Sequence, residues 1–84
     1  MLKLETVNSI LQDVVGHELG VTCEVKEIYL DLGANIIGDN IVVTKPYGST
    51  YQLLSPIELR QIKRGEFTLD DVKVLIEDMR ERGW

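Results

Sequence analysis

Apolar residues along the first segment recur at helical intervals. Leu4, Val7, Leu11 and Val14 form one stripe, which Ile10 and Val15 widen, and that spacing predicts an amphipathic helix. Ser9 with Gln12 three residues later reads as a capping box, which would delay the regular helix to Ile10. Gly16 is a weak point inside this helix, and Gly20 suits a left-handed residue just past its end.

From Val21 the period changes to two. Val21, Cys23 and Val25 alternate in one phase, and Ile28, Leu30 and Leu32 in the other. The flip predicts a bulge or a break at Lys26-Glu27. Gly33 and Gly38-Asp39-Asn40 carry turn chemistry, 41–44 reads as a strand, 46–49 as a second turn and 50–54 as a further strand. Connections this short exclude parallel crossovers and predict an antiparallel meander.

The C-terminal third has the clearest local code. Ser55-Pro56-Ile57-Glu58 sets a capping Ser, a Pro at the first helical position and a Glu three after the cap. Thr68 and Asp71 repeat the pattern, and Leu54 with Leu59 and Phe67 with Val72 sit where hydrophobic staples would. Gly65 ends the first of these helices. Leu69, Val72, Leu75, Ile76 and Met79 give the second one apolar face up to Gly83, with Asp78 and Arg82 spaced for an i,i+4 pair. The expected fold is α+β: an N-terminal helix, a small antiparallel sheet of about three strands and two C-terminal helices, in one domain over 1–84.

Composition adds bounds. The chain has 84 residues, 44% hydrophobic and 27% charged, which is ordinary for a folded domain but leaves only a modest core. Cys23 is the sole cysteine, so no intrachain disulfide can staple the fold. That fact, the lack of a signal-peptide pattern at the start and the lack of a long apolar run set a cytoplasmic, non-membrane expectation. The net charge is −5 and unevenly placed: positions 1–42 hold seven acids against two bases, whereas 43–84 hold seven of each. An acidic surface disfavours phosphate backbones and anionic membranes and favours basic partners.

Candidate chemistry is sparse. His17 and Cys23 could be drawn as a nucleophilic pair, but no flanking sequence matches a cysteine-enzyme or nucleophile-elbow pattern. A buried thiol and an exposed helix-end imidazole are expected instead. No paired-ligand spacing suits zinc, and Asp39-Asn40 lacks the further oxygens of a calcium loop. Gly33 and Gly38 fit no phosphate-binding fingerprint. No catalytic residue, metal or cofactor is therefore expected. The two C-terminal helices superficially resemble a helix-turn-helix, with Arg60, Lys63 and Arg64 on one helical face. The second helix, however, opens with Asp70-Asp71 and continues through Glu77, Asp78 and Glu81, which would repel phosphates.

Binding through a surface is what remains. The expectation is a small non-enzymatic acidic protein-binding module, a regulator or inhibitor that engages a basic partner as a charge mimic of nucleic acid. Its acidic face comprises Glu24, Glu27, Asp31 and Asp39, with Tyr29, Ile36, Ile37 and Trp84 as apolar contacts. Ile36-Ile37, set between two turn glycines, also reads as a loop folding back on the core, the favoured reading in a domain this small. Tyr47 and Tyr51 are likewise not claimed by the core pattern. The alternative is a nucleic-acid-associated protein using Arg60, Lys63 and Arg64. Edge strands of a small sheet also invite homodimers or addition of a partner's strand.

Overall fold

The computed structural model describes residues 2–30 and 36–83, with only the backbone described for Leu30, Ile36 and Ile37. Asp31, Leu32, Gly33 and Trp84 lie outside the described residues. The N-terminal helical stretch runs through α1 (Leu4–Leu11), a π-helical segment (Gln12–Gly16) and α2 (His17–Leu19). It starts at Leu4 behind an extended Lys3, not at Ile10. Ser9 lies inside α1, and the Gln12 side chain that was to complete the capping box is committed elsewhere. Its Nε2 donates to the Val21 carbonyl at 3.3 Å, and its Oε1 accepts the Cys23 N–H at 2.6 Å. The amide thus lies on the edge of the first strand as a neighbouring peptide would. Gly16 makes the room for it, because a Cβ there would overlap Gln12 Nε2. Gly20, at φ 69°, ends the stretch in the left-handed conformation.

Strands β1 (Thr22–Leu30), β2 (Ile36–Thr44) and β3 (Thr50–Gln52) form an antiparallel sheet in the order β1-β2-β3. The β1–β2 register is constant from Thr22 opposite Thr44 to Leu30 opposite Ile36, so the expected break at Lys26-Glu27 is absent. The hydrophobic phase changes for a different reason: the hairpin outruns the core. Cys23 is buried and Val25 half-buried on one face, but Glu27 and Tyr29 on that same face are exposed. Ladder hydrogen bonds hold the register where burial no longer does.

Gly38, Asp39 and Asn40 lie within β2 rather than in a turn. Asn40 is fully buried. Its Nδ2 donates to the Leu54 carbonyl at 3.0 Å, while Oδ1 accepts the N–H of Leu54 at 3.1 Å and of Ile41 at 2.7 Å. This side-chain amide pairs with Leu54 where the backbone leaves the ladder, so β3 ends at Gln52 instead of continuing to Leu54. Leu53 N–H still donates to the Ile41 carbonyl at 2.9 Å. The β2–β3 turn at 46–49 forms as expected, closed by Gly48 N–H to the Lys45 carbonyl, with Gly48 at φ 91°.

Helices α3 (Pro56–Arg64) and α4 (Leu69–Glu81) carry the two expected capping boxes, Ser55 with Glu58 and Thr68 with Asp71. The core cluster comprises Val7, Leu11 and Val15 from the first helical stretch, Val21, Cys23, Ile41 and Val43 from the sheet region, Leu54 and Phe67 from the connections, and Val72, Leu75, Ile76 and Met79 from α4. Helix α3 adds only the partly buried Leu59 and Ile62. On the other sheet face Glu24, Lys26, Ile28, Val42, Thr44 and Gln52 border a shallow, open concavity of about 310 Å³. No helix among the described residues is long and apolar enough to cross a membrane.

Candidate functional site

Where β1 and β2 extend past the core they make a two-stranded arm, since β3 pairs only with 42–44 of β2. Side chains alternate between faces along each strand, and residues directly opposite one another share a face. Glu27 and Asp39 are directly opposite, and both are exposed. They also form the closer kind of pair. The Cys23 N–H turns away from β2 to Gln12, and the Ile41 carbonyl turns away from β1 to Leu53. Odd-numbered positions are therefore the non-hydrogen-bonded pairs of this ladder, whose Cα atoms stand about 4.5 Å apart.

The structure accordingly brings together two of the four predicted acids. Glu24 lies on the opposite face of the sheet, opposite Val42 in its three-stranded part, with Lys26 Nζ 4.0 Å from its carboxylate and both side chains exposed. Asp31 falls outside the described residues. Tyr29 shares the face of Glu27 two residues on and is 55% exposed. The backbone of Ile37 pairs with Tyr29 and that of Ile36 with Leu30; their side chains, like Trp84, lie outside what is described.

Like charges directly opposite destabilise a ladder, and among the described residues no cation pairs with Glu27 or Asp39. Other acids have structural work. Glu58 and Asp71 cap helices. Arg80 bonds both carboxylate oxygens of Glu18, at 2.6 and 2.8 Å, and Glu77 at 2.8 Å. Hydrogen bonding to Arg80 holds the Glu18 carboxyl below its ordinary value. Asp78 pairs with Arg82 at 3.2 Å, as its spacing predicts.

Arg60, Lys63 and Arg64 are exposed on α3, and their i, i+3, i+4 spacing gathers them on one face. Two of the three have a local explanation that Glu27 and Asp39 lack: Lys63 and Arg64 occupy the last turn of α3, where cations favour the helix dipole. Sequence reasoning missed Lys45, whose Nζ lies 4.7 Å from the Tyr51 ring centroid and 5.7 Å from that of Tyr47. Hydrogen bonding to Tyr47 and the nearby phenol groups raise its pKa. The clue available in the chain was the lysine placed beside a Pro-Tyr-Gly turn.

Cys23 is 6% exposed, and burial pushes its thiol up to about 11, so it carries no thiolate at neutral pH. His17 is exposed on α2. Among the described residues no group of three or more His, Cys, Asp or Glu is placed to hold a metal ion. Comparison with known protein families, with curated proteins and with solved structures finds no significant match.

Proposed function

We propose that this protein is a non-enzymatic binding module, a regulator or inhibitor that engages a basic surface of a protein partner through the acidic face of its β1–β2 arm. The observation that carries this reading is the placement of Glu27 directly opposite Asp39 on strands that extend beyond the core. A small domain tolerates here a repulsion that contributes nothing to its own packing. An arriving cation relieves that repulsion, so the arm is more stable bound than free. Glu24, on the other face, is paired with Lys26, so among the described residues of β1 and β2 the uncompensated charge is that of Glu27 and Asp39, and Tyr29 offers an exposed aromatic contact beside Glu27. When the partner's basic surface is a nucleic-acid groove, the module acts as a mimic of nucleic-acid charge.

The test is affinity capture from the source cell at low and high salt, with the captured partner then purified. Exposed charges are screened beyond about 10 Å at 0.1 M salt, so capture should fall steeply as salt rises. Reversing Glu27 and Asp39 together to Lys should slow association with that partner, with a smaller effect on dissociation. Reversing Arg60, Lys63 and Arg64 to Glu should leave binding unchanged. If the basic triple abolishes binding and the acidic pair does not, the nucleic-acid reading through α3 replaces this one.

A further inference from the structure

We propose that the edge of β1 accepts an extended segment of the partner protein as an added strand, and that this segment carries a basic residue opposite Glu27 with apolar residues two places to either side. The inference rests on the acidic-arm reading and adds how the partner is held.

The direction of the backbone groups follows from two hydrogen bonds. Cys23 N–H points outward to Gln12, and the Ile41 carbonyl, opposite Val25, points away from β1 to Leu53. In an uninterrupted antiparallel ladder the N–H and C=O of Val25 and Glu27 then point outward as well. Strand β1 is the first strand of the sheet order and pairs only with β2, and among the described residues nothing bonds to those outward groups. One step earlier the Gln12 amide lies on the same edge, accepting from Cys23 and donating to Val21. The edge therefore receives a peptide-like group at its start, and among the described residues the helical stretch hydrogen-bonds the edge only at that step.

Charge decides the occupant. A second copy pairing about a two-fold axis meets an obstacle in each register centred between Val25 and Ile28. Centring on Lys26 sets Lys26 against its own copy, and centring on Glu27 does the same for Glu27, which is destabilising. Centring on Val25 would match Glu24 with Lys26 of the other copy, but it carries that copy's Ile28 onto Thr22, against the Gln12 side chain. Centring on Ile28 leaves the Val25 groups without a partner inside β1 and sets the two Glu27 side chains diagonally adjacent. A segment of different sequence avoids all of these. Its residue opposite Glu27 shares the face of Glu27 and Asp39 and is best basic. The residues two places before and after face Tyr29 and the half-buried Val25 and are best apolar.

The probe is a capped seven-residue peptide with lysine at its centre, valine two places to either side and threonine elsewhere. It is titrated into the isotope-labelled protein while amide shifts and amide exchange are followed. Shifts should concentrate at 23–29, and exchange should slow at Val25 and Glu27. Glu27→Lys should weaken binding about fivefold or more, through loss of an opposite-charge pair and gain of a like-charge one. The same peptide N-methylated at the central lysine, which keeps every charge but removes a ladder donor, should not bind. If the methylated peptide binds as well as the parent and Glu27→Lys weakens both, strand addition is wrong while the acidic arm stands. If Glu27→Lys leaves parent binding unchanged, the acidic-arm reading falls with it. Absence of any shift at 25–29 with millimolar peptide overturns the edge proposal, as does a concentration-dependent shift of those amides without peptide, which would place a second copy there.

Discussion

At the residue scale, two side-chain amides and one glycine finish what the backbone leaves open. Gln12 bonds the outer edge of β1 at Val21 and Cys23, and Asn40 bonds both backbone groups of Leu54. Gly16 is the condition for the first of these. In an ordinary helix interior, Gly→Ala gains about 1 kcal/mol. Here a Cβ would displace Gln12 Nε2, and each partly buried backbone group left unpaired costs about 1–3 kcal/mol. Gly16→Ala should therefore destabilise the protein by about 1–2 kcal/mol in urea melts. In a Gln12→Ala background, where the amide is already gone, the same change should stabilise by up to ~1 kcal/mol. A Gly16→Ala protein more stable than the parent would show that the Gln12 contact contributes nothing.

At the element scale, helices α3 and α4 share one local code but differ in what holds them. Both have complete capping boxes, yet α4 buries Val72, Leu75, Ile76 and Met79, whereas α3 has no fully buried side chain. Loss of a cap costs about 0.5–2 kcal/mol wherever it occurs. In α4 that loss is felt by the whole core, so Thr68→Ala should lower the global melting transition. In α3 it should appear first as local opening. Ser55→Ala should accelerate amide exchange across 58–64 by more than it shifts the melt. Equal exchange protection of the two helices in the parent protein would contradict this division.

At the scale of the whole molecule, the layout is a helical layer against one sheet face and an acidic arm beyond it. Arg80 joins the end of the first helical stretch to the last helix through Glu18, 62 residues away. Hydrogen bonding to Arg80 lowers the Glu18 pKa from its ordinary 4.5. A carboxyl lowered by folding contributes stability above its ordinary value, and that contribution is lost as the pH falls through the lowered one. Acid should thus loosen this clamp. The urea midpoint of the parent should drop more between about pH 5 and pH 3 than that of Glu18→Gln, which has no carboxyl to protonate. Parallel curves would mean that the exposed pair is screened to no effect.

What the chain determined by itself is what depends on near neighbours. The caps at Ser55 and Thr68, the left-handed glycines at 20 and 65, the Pro46–Gly48 turn and the apolar stripe of α4 from Val72 to Met79 are all short-range matters, and each was legible, although Leu69, expected on that stripe, is 52% exposed. So was the α+β order of helix, meander and helix pair, because connection lengths allow little else. Three features turned on groups distant in sequence. Gln12 passed for a capping residue because its actual partners, Val21 and Cys23, lie on a strand that only folding brings alongside. Asn40 passed for turn chemistry because its partner Leu54 is fourteen residues away, and an Asn looks alike in a turn and in a ladder. The phase change at Lys26-Glu27 passed for a bulge because alternation reports burial, and on the core face burial fades from Cys23 through the half-buried Val25 to the exposed Glu27 and Tyr29. The candidate site shows the same division. Glu24, Glu27, Asp31 and Asp39 could be read from the chain as acids near strands, but their faces depend on register. The β1–β2 pairing sets Glu27 opposite Asp39, and the lack of a break at Lys26-Glu27 leaves Glu24, three residues earlier, on the other side, because side chains alternate with period two along an unbroken strand.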